Sequence, residues 1–428
     1  MVWLICYYKA NLLITRNKCN CPGIDVICWE LCIFGLYMKG LFKQLHPGLF
    51  YAEYDDFDFD RAAEMTNERY RPRGPMCSGV RKGDYIGRNA DVYTGFDTVL
   101  VLRLSRRCAR YSSFGIVTDY FIPNLPDMIT RQEKDDTYYM LPQLVGDGIN
   151  EKGLSVMMFM VPNSEASEDK SDWGGREWGK SAAYTNPSAA KTYNTMLLAR
   201  FVLDNAANVD EAVELVRAVN WFDPDRFTSS GHAGALKWMV SDSGKSAVIE
   251  CIDNEMKIMV TEDINHPSLC TITANFSSYL FSKGIIQDGA SGYERYDQML
   301  ELYDKEDDSL DGLKRILKSV SMSEKYSRDI SDKFFFATDY LWCESPSGRH
   351  FTSTELYRGD AKQDPDFIAT VNLEKNRYFD KALRPNNFKQ SVTIYTSVYD
   401  LKEKRLHLMY NAGTGGGRWF EFSLNKNN

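Results

Sequence analysis

The segment Met76-Cys77-Ser78-Gly79-Val80, followed closely by Gly87-Arg88-Asn89-Ala90-Asp91, is the stretch on which the predicted fold depends. Between the two segments, Gly83-Asp84 is a two-residue turn signal of the kind that joins the strands of a β-hairpin. Cys77 therefore opens the first strand of the predicted hairpin, and the Arg-Asn-Ala-Asp cluster ends the second. The sequence thus predicts that this cysteine lies near an arginine and an aspartate.

The composition is typical of a soluble globular protein with a substantial core, since 43% of the 428 residues are hydrophobic and 26% are charged. A net charge of −8 argues against a nucleic-acid partner, which needs a clustered basic face. There is no uninterrupted apolar run of about 18 residues, so we expect no membrane span and no membrane partner. Cysteines are sparse and irregularly spaced after residue 77, which favours a reducing cytoplasm over a disulfide framework.

Neither a metal nor a cofactor is predicted. The early pairs Cys19-x-Cys21 and Cys28-x-x-x-Cys32 depart from the paired C-x-x-C form of zinc sites, and no two of the five histidines share a ligand spacing. The glycine-rich stretch 413–418 (GTGGGR) lacks the Lys-Ser/Thr that a phosphate-binding loop requires. We interpret it as a flexible terminal loop.

The first 76 residues do not resemble the rest of the chain. Residues 1–65 mix cysteine and aromatic residues without a clear period, and 66–75 are polar and contain proline, as in a linker or cleavage region. They are interpreted either as a propeptide or as an extension upstream of a true initiator at Met76, and the second is favoured because Met76 directly precedes the cysteine. Both hypotheses leave residues 77–428 as a single domain, remove residues 1–76 and make Cys77 the mature N-terminus.

Downstream of Cys77, strand patterns alternate with helix patterns. Residues 146–154 are predicted as a tight turn, and 163–186 as a long loop whose Trp173, Trp178 and Tyr184 either cover a substrate pocket or pack between subunits. Helices are predicted at 194–205, 210–219, 293–303 and 310–319. Strands are predicted at 99–104, 115–118, 155–161, 237–242, 246–252, 270–276, 391–400 and 405–410. Antiparallel hairpins that enclose helix pairs predict layered sheets with helices outside.

Five short motifs follow one another along the chain: Cys77 with the Gly87 to Asp91 segment, then residues 148–154 (GINEKGL), 273–276 (TANF), 291–295 (SGYER) and 391–398 (SVTIYTSV). Their order resembles the choloylglycine hydrolase family of linear amide C–N hydrolases, which includes bile-salt hydrolases and penicillin V acylases. The likeness spans roughly residues 77–425. It implies an α+β, N-terminal-nucleophile hydrolase fold, a four-layer αββα sandwich of two antiparallel sheets between helix layers.

The same resemblance implies the roles of the first three site residues. Cys77 corresponds to the nucleophile, and Arg88 and Asp91 correspond to its supporting pair. An N-terminal cysteine needs no histidine, because its own α-amine, with a pKa of roughly 7.7–8.0, can accept the thiol proton. Arg88 is expected to favour the thiolate, and Asp91 to orient the α-ammonium group.

Three further residues are implied by the resemblance. Asn275 matches the asparagine of the oxyanion hole, and the backbone N–H of Met160 is expected to be a second donor. Met160 stands where many family members have asparagine or tyrosine. Arg295 matches the arginine of the family's Ser-x-x-x-Arg helix start, and we expect it to hold either Asp91 or the end of the substrate.

The expected function is hydrolysis of a linear amide with an apolar acyl part, through a thioester on Cys77. Two alternatives remain open: acyl transfer to an amine, or binding of acyl amides without turnover if the upstream segment stays attached. The sequence does not distinguish conjugated bile salts, penicillin V, N-acyl homoserine lactones and N-acyl amino acids as substrates. A small-molecule amide is the only partner expected besides further copies of the chain, since relatives of this kind are often tetramers.

Overall fold

The protein is described here by a computed structural model. It covers residues 41–69, 76–93, 98–120, 122, 125–132, 134–162, 181–223, 234–252, 255–287, 290–322, 346–349, 351, 355, 358, 363–369, 391–410 and 417–425.

The described residues form strands and helices in both halves of the chain. The strands are β1 (Lys43–His46), β2 (Leu49–Tyr54), β3 (Met76–Lys82), β4 (Tyr85–Tyr93), β5 (Val99–Leu104), β6 (Ser113–Thr118), β7 (Asp147–Asn150), β8 (Ser155–Pro162), β9 (Ser181–Tyr184), β10 (Thr192–Asn194), β11 (Asn220–Asp223), β12 (Gly234–Ser241), β13 (Ser246–Ile252), β14 (Glu255–Thr261), β15 (Ile272–Thr273), β16 (Ser391–Asp400), β17 (Arg405–Tyr410) and β18 (Arg418–Ser423). The α-helices are α1 (Phe59–Arg69), α2 (Leu125–Arg131), α3 (Asp136–Met140), α4 (Leu198–Asn205), α5 (Val209–Arg217), α6 (Ser278–Ser282), α7 (Tyr293–Tyr303) and α8 (Leu310–Ser319). Short 3₁₀ turns lie at Leu141–Gln143 and Thr195–Leu197.

Within the described ranges, the strands make two large sheets and one small sheet. Sheet A has the order β1-β2-β5-β6-β7-β8-β12-β13-β14, and sheet B has the order β15-β3-β4-β16-β17-β18. Sheet A is antiparallel except where β2 runs parallel to β5, and sheet B is antiparallel throughout. The small sheet joins β10, β11 and β9.

The two large sheets pack face to face and are covered by helices on their outer sides. Strand β3 of sheet B contacts β8 of sheet A, and one apolar core fills the space between the sheets. Helices α4 and α5 pack on sheet A, whereas α7 and α8 pack on β3 and β4 and enclose a second apolar cluster. The predicted four-layer αββα sandwich is therefore confirmed.

The residues upstream of Cys77 contribute to sheet A. Strand β2 pairs with β5 over six residue pairs, from Leu49 opposite Val99 to Tyr54 opposite Leu104. Leu49, Ala52 and Tyr54 are buried and belong to the main apolar cluster. Helix α1 follows β2 and packs against α3 and β10. Residues 43–69 are thus part of the folded layers, while the removal of residues 1–76 stays a prediction.

Three local predictions are wrong in extent. The tight turn predicted at 146–154 is only residues 151–153, because Asp147–Asn150 pair with β6 and form β7. The strand predicted at 270–276 is reduced to Ile272–Thr273, and the chain then turns into the short helix α6. The predicted loop 163–186 contains strand β9, in which Tyr184 pairs with Trp221, whereas Trp173 and Trp178 lie outside the described residues.

Gly153 fixes the distance between the turn that follows β7 and the opposite sheet. It has a φ of +83°, and a Cβ at this position would collide with the carbonyl oxygen of Leu401, which follows β16. Gly284 has a similar φ of +76°, but a Cβ there would meet nothing within 4 Å. A side chain would be strained by the left-handed backbone at both glycines, but only at Gly153 would its Cβ also collide with a neighbouring atom.

We therefore expect Gly153→Ala to destabilise the protein more than Gly284→Ala. The left-handed backbone alone costs about 1–2 kcal/mol for a non-glycine residue, and overpacking adds about 1–3 kcal/mol at Gly153. Urea unfolding of both variants measures the difference. Equal losses of unfolding free energy would show that the contact with Leu401 does not constrain the turn.

Candidate active site

The β3–β4 hairpin places the two sides of Cys77 in different environments. In the register of the hairpin, Cys77 lies opposite Ala90, and Met76 lies opposite Asp91. Because side chains alternate along a strand, Cys77 and Arg88 point into the core between the sheets, whereas Asp91 points toward the helix layer at Arg295. The side chain of Cys77 is completely buried. The thiol and the backbone nitrogen of this residue are therefore supported by different groups.

The thiol is held by Arg88. Its Nη2 lies 2.8 Å from Cys77 Sγ, and its Nη1 donates a hydrogen bond of 2.8 Å to the carbonyl of Gly146. Burial raises the pKa of the Cys77 thiol, and the positive charge of Arg88 opposes that increase. In the uncleaved chain the thiol is consequently protonated at neutral pH, and Arg88 is the nearest cation that can stabilise the thiolate.

Asp147 lies behind Arg88 and was not predicted as a site residue. Its Oδ1 is 3.8 Å from Arg88 Nη1, and both residues are fully buried. Strand β16 supplies three hydroxyl donors to this carboxylate: Tyr395 at 2.5 Å, Ser397 at 2.5 Å and Tyr399 at 3.0 Å. Burial raises the pKa of both tyrosines well above its ordinary value, so they remain protonated donors. The buried carboxylate is thereby solvated by protein groups.

Asp91 forms a second buried ion pair on the other side of the hairpin. Its Oδ2 accepts a hydrogen bond of 2.8 Å from Arg295 Nη1, and its Oδ1 accepts one of 2.5 Å from Thr393 Oγ1. Burial raises the pKa of Asp91 to about 6, although Arg295 and Thr393 act in the opposite direction. Asp91 is therefore mainly a carboxylate at neutral pH.

Asn275 connects the backbone of Cys77 to both sheets. Its Oδ1 accepts hydrogen bonds from the Cys77 backbone N–H and from Arg295 Nη2, the latter at 3.1 Å. Its Nδ2 donates a hydrogen bond of 2.7 Å to the carbonyl of Met160. Two donors at the oxygen and an acceptor at the nitrogen define which way the amide points.

The structure brings the six predicted site residues into one buried network. Cys77 contacts Arg88 and Asn275 directly, and Asn275 continues to Arg295 and to the carbonyl of Met160. Arg295 binds Asp91, which is one of the two partners that the sequence left open. Asp147 escaped the sequence analysis because Gly146-Asp147-Gly148 is a local turn pattern, and its hydroxyl donors appeared only as alternating residues of a predicted strand.

Two further observations concern the described part of the chain. No group of three or more histidine, cysteine, aspartate or glutamate residues there is arranged to hold a metal ion. The helices described are all too short or too polar to cross a membrane.

Comparison with known proteins adds a family match. Residues 82–288 match the model of the linear amide C–N hydrolases, choloylglycine hydrolase family. The predicted resemblance to this family is confirmed. The matched region includes Arg88, Asp91, Met160 and Asn275, begins after Cys77 and ends before Arg295.

Two solved structures are similar to this chain. One is a mutant of the conjugated bile acid hydrolase from Clostridium perfringens, with 14% identity, a TM-score of 0.40, and coverage of 82% of this chain and 94% of that chain. The other is the penicillin V acylase from Agrobacterium tumefaciens, with 16% identity, a TM-score of 0.37, and coverage of 82% and 86%. The comparison with curated proteins found no match.

Replacement of Arg88 tests whether this residue stabilises the thiolate. In Arg88→Met the cation beside Cys77 Sγ is lost, so we expect the thiol pKa to increase by roughly 1–3 units. The rate of alkylation by iodoacetamide, measured against pH, then shifts to higher pH by the same amount. Arg81→Met is the matched control. Arg81 lies on β3 and is buried like Arg88, but its Nη1 binds the carbonyl of Lys245. Superimposable profiles for the two variants would contradict the role of Arg88.

Proposed function

We propose that this protein hydrolyses linear amides with an apolar acyl part, using Cys77 as an N-terminal nucleophile. The observation that carries the proposal is the separate support of the two reactive groups of Cys77. Arg88 lies 2.8 Å from the sulfur, while Asn275 Oδ1 accepts from the backbone nitrogen. The match of residues 82–288 to a family of linear amide C–N hydrolases supports the same reaction class.

The mechanism requires that the peptide bond between Met76 and Cys77 is broken, because a peptide nitrogen cannot act as a base. In the propeptide hypothesis, the Cys77 thiol attacks the Met76 carbonyl carbon, the C–N bond breaks, and the thiol proton passes to the departing nitrogen. Water then hydrolyses the resulting thioester, which leaves a carboxylate on Met76 and both a thiol and an amine on Cys77. The initiator hypothesis reaches the same N-terminus by removal of Met76.

The position of residues 43–69 favours internal cleavage with retention of the upstream piece. A chain that began at Met76 would lack β2 and leave the whole of β5 without its parallel neighbour. The upstream piece also buries Tyr54, whose ring stacks on Tyr138 with centroids 4.5 Å apart, and Thr66 bonds Gln143 at 2.8 Å. We therefore propose a mature enzyme of two chains held together by sheet A.

The geometry of the site supports the following steps of the proposed reaction. The Cys77 amine takes the thiol proton, and the thiolate attacks the substrate carbonyl carbon. Asn275 Nδ2, which donates to Met160 in this structure, is expected to turn to the oxyanion together with the Met160 backbone N–H. Collapse of the intermediate expels the amine with the proton, and water hydrolyses the thioester by the reverse transfer. Asp91, held by Arg295, keeps the Cys77 ammonium in place.

Removal of the nucleophile tests this function. We expect Cys77→Ala to leave the peptide bond between residues 76 and 77 uncut and to lower the rate of amide hydrolysis by on the order of 10⁴–10⁶-fold. Cys108→Ala, at a partly buried cysteine after β5, should retain both cleavage and activity. The assay measures amine release from conjugated bile salts, penicillin V, N-acyl homoserine lactones and N-acyl amino acids. Full activity in a protein whose intact mass includes an uncut Met76–Cys77 bond would refute the N-terminal amine mechanism.

The two-chain proposal has its own test. In active protein, mass spectrometry under denaturing conditions should find separate upstream and Cys77-initiated pieces, and native mass spectrometry should find them together. A chain that begins at Met76 should be poorly soluble, and co-expression of residues 1–75 as a separate chain should restore soluble, active protein. Normal yield and activity of the chain that begins at Met76 alone would show that the upstream piece is dispensable.

A further inference from the structure

Lys237 and Glu250 form a buried charged pair that the amide chemistry described above does not use. They lie directly opposite each other on β12 and β13, and their exposed fractions are 0% and 2%. Removing an ammonium or a carboxylate group from water is costly unless protein groups replace the lost hydrogen bonds. The hydrogen-bond partners of Lys237 and Glu250 therefore indicate the role of this pair.

Both charges bind the three residues that follow Asn275. Lys237 Nζ donates to the carbonyl of Phe276 and, at 3.0 Å, to Ser278 Oγ. Glu250 accepts from the Ser278 backbone N–H at 2.7 Å and from Ser277 Oγ at 2.5 Å. Burial lowers the pKa of Lys237 to about 8, and the charge of Glu250 opposes that shift, so the ammonium form predominates at neutral pH.

The segment around Asn275 depends on such contacts because regular strand pairing ends before it. Strand β15 comprises only Ile272–Thr273, and α6 starts at Ser278. Asn275 thus stands on a turn between a two-residue strand and a five-residue helix. Its acceptor Met160 lies on β8, opposite Leu236, the residue next to Lys237. Lys237 and Met160 therefore hold the turn and the Asn275 side chain from adjacent strands.

We propose, on the basis of the function proposed above, that Lys237 and Glu250 are positioning residues for Asn275. They tie residues 276–278 to sheet A and thereby fix the distance from the Asn275 amide to Cys77 on sheet B. They act through the turn and do not touch the reacting atoms. Because an oxyanion donor acts mainly on the transition state, their loss should lower kcat more than it changes KM.

Lys237→Met removes the ammonium group and keeps a side chain of similar length. We expect kcat for the best substrate of the panel to fall by about 10–100-fold, less than the 10²–10³-fold typical of deleting an oxyanion donor, with KM changed by less than about twofold. The matched control is Lys82→Met. Lys82 is likewise buried, donates to the carbonyl of Tyr303 at 2.7 Å and lies 4.3 Å from its ring centre, but it lies at the far end of the β3–β4 hairpin from Cys77.

A double-mutant cycle with Asn275→Ala separates positioning from general weakening of the fold. If Lys237 acts through Asn275, Lys237→Met should change kcat by less than about twofold in the Asn275→Ala background. An equal fall of kcat in both backgrounds, or the same fall in Lys82→Met, would overturn the proposal.

Glu250 provides a second route if Lys237→Met does not fold. Glu250→Gln retains an oxygen that can accept from Ser278, so it should keep more of kcat than Glu250→Leu, and this difference should vanish in the Asn275→Ala background. Equal kcat in the Gln and Leu variants would count against the proposal. Failure of the proposed function is recognised separately, because wild-type protein would then release no amine or Cys77→Ala would remain active.

Discussion

The contact between the Arg88 guanidinium and the Cys77 sulfur is the interaction on which the rest of the site depends. A guanidinium that is buried between two sheets needs a counter-charge, and Asp147 provides it at 3.8 Å. Asp147 is itself buried, and the three hydroxyl groups of β16 replace its water. To hold Arg88 beside the Cys77 sulfur, the fold must therefore keep β7 of sheet A, which carries Asp147, at a fixed distance from β16 of sheet B, which carries the three hydroxyl groups.

Because side chains alternate between the two faces of a strand, the hairpin holds two charged pairs close together but on opposite faces. Arg88 and Asp147 lie in the space between the sheets, whereas Asp91 and Arg295 lie on the helix side of the same hairpin. Cys77 contacts Arg88 of the first pair through its sulfur, and its backbone N–H is linked to Arg295 of the second pair through Asn275. Asn275 joins the two halves, since it binds Cys77, Arg295 and a carbonyl of sheet A.

Sequence patterns predicted the parts of this arrangement that depend on local spacing. The Gly83-Asp84 turn and the alternation of residues 391–400 were enough to predict the hairpin and β16, and motif order brought Asn275 and Arg295 into the site. Contacts across long separations could not be predicted in this way. Thr393 binds Asp91 across a separation of 302 residues. The parallel pairing of β2 with β5 likewise produces no periodic pattern of residues from which it could be predicted. Asp147 was missed because flanking glycines favour a turn locally, while its pairing partners lie on another strand.

The scissile bond of the proposed maturation lies inside β3, with folded elements on both sides of it. Helix α1 ends at Arg69, and β3 already includes Met76, which is opposite Asp91. Before cleavage, burial keeps the pKa of Asp91 at about 6. Cleavage creates an ammonium group on Cys77, and an opposite charge close to a carboxyl group favours its ionised form. The pKa of Asp91 is therefore expected to fall when the bond is cut, so the carboxylate, already mainly ionised at neutral pH, is further stabilised in its charged form by the ammonium group that it holds.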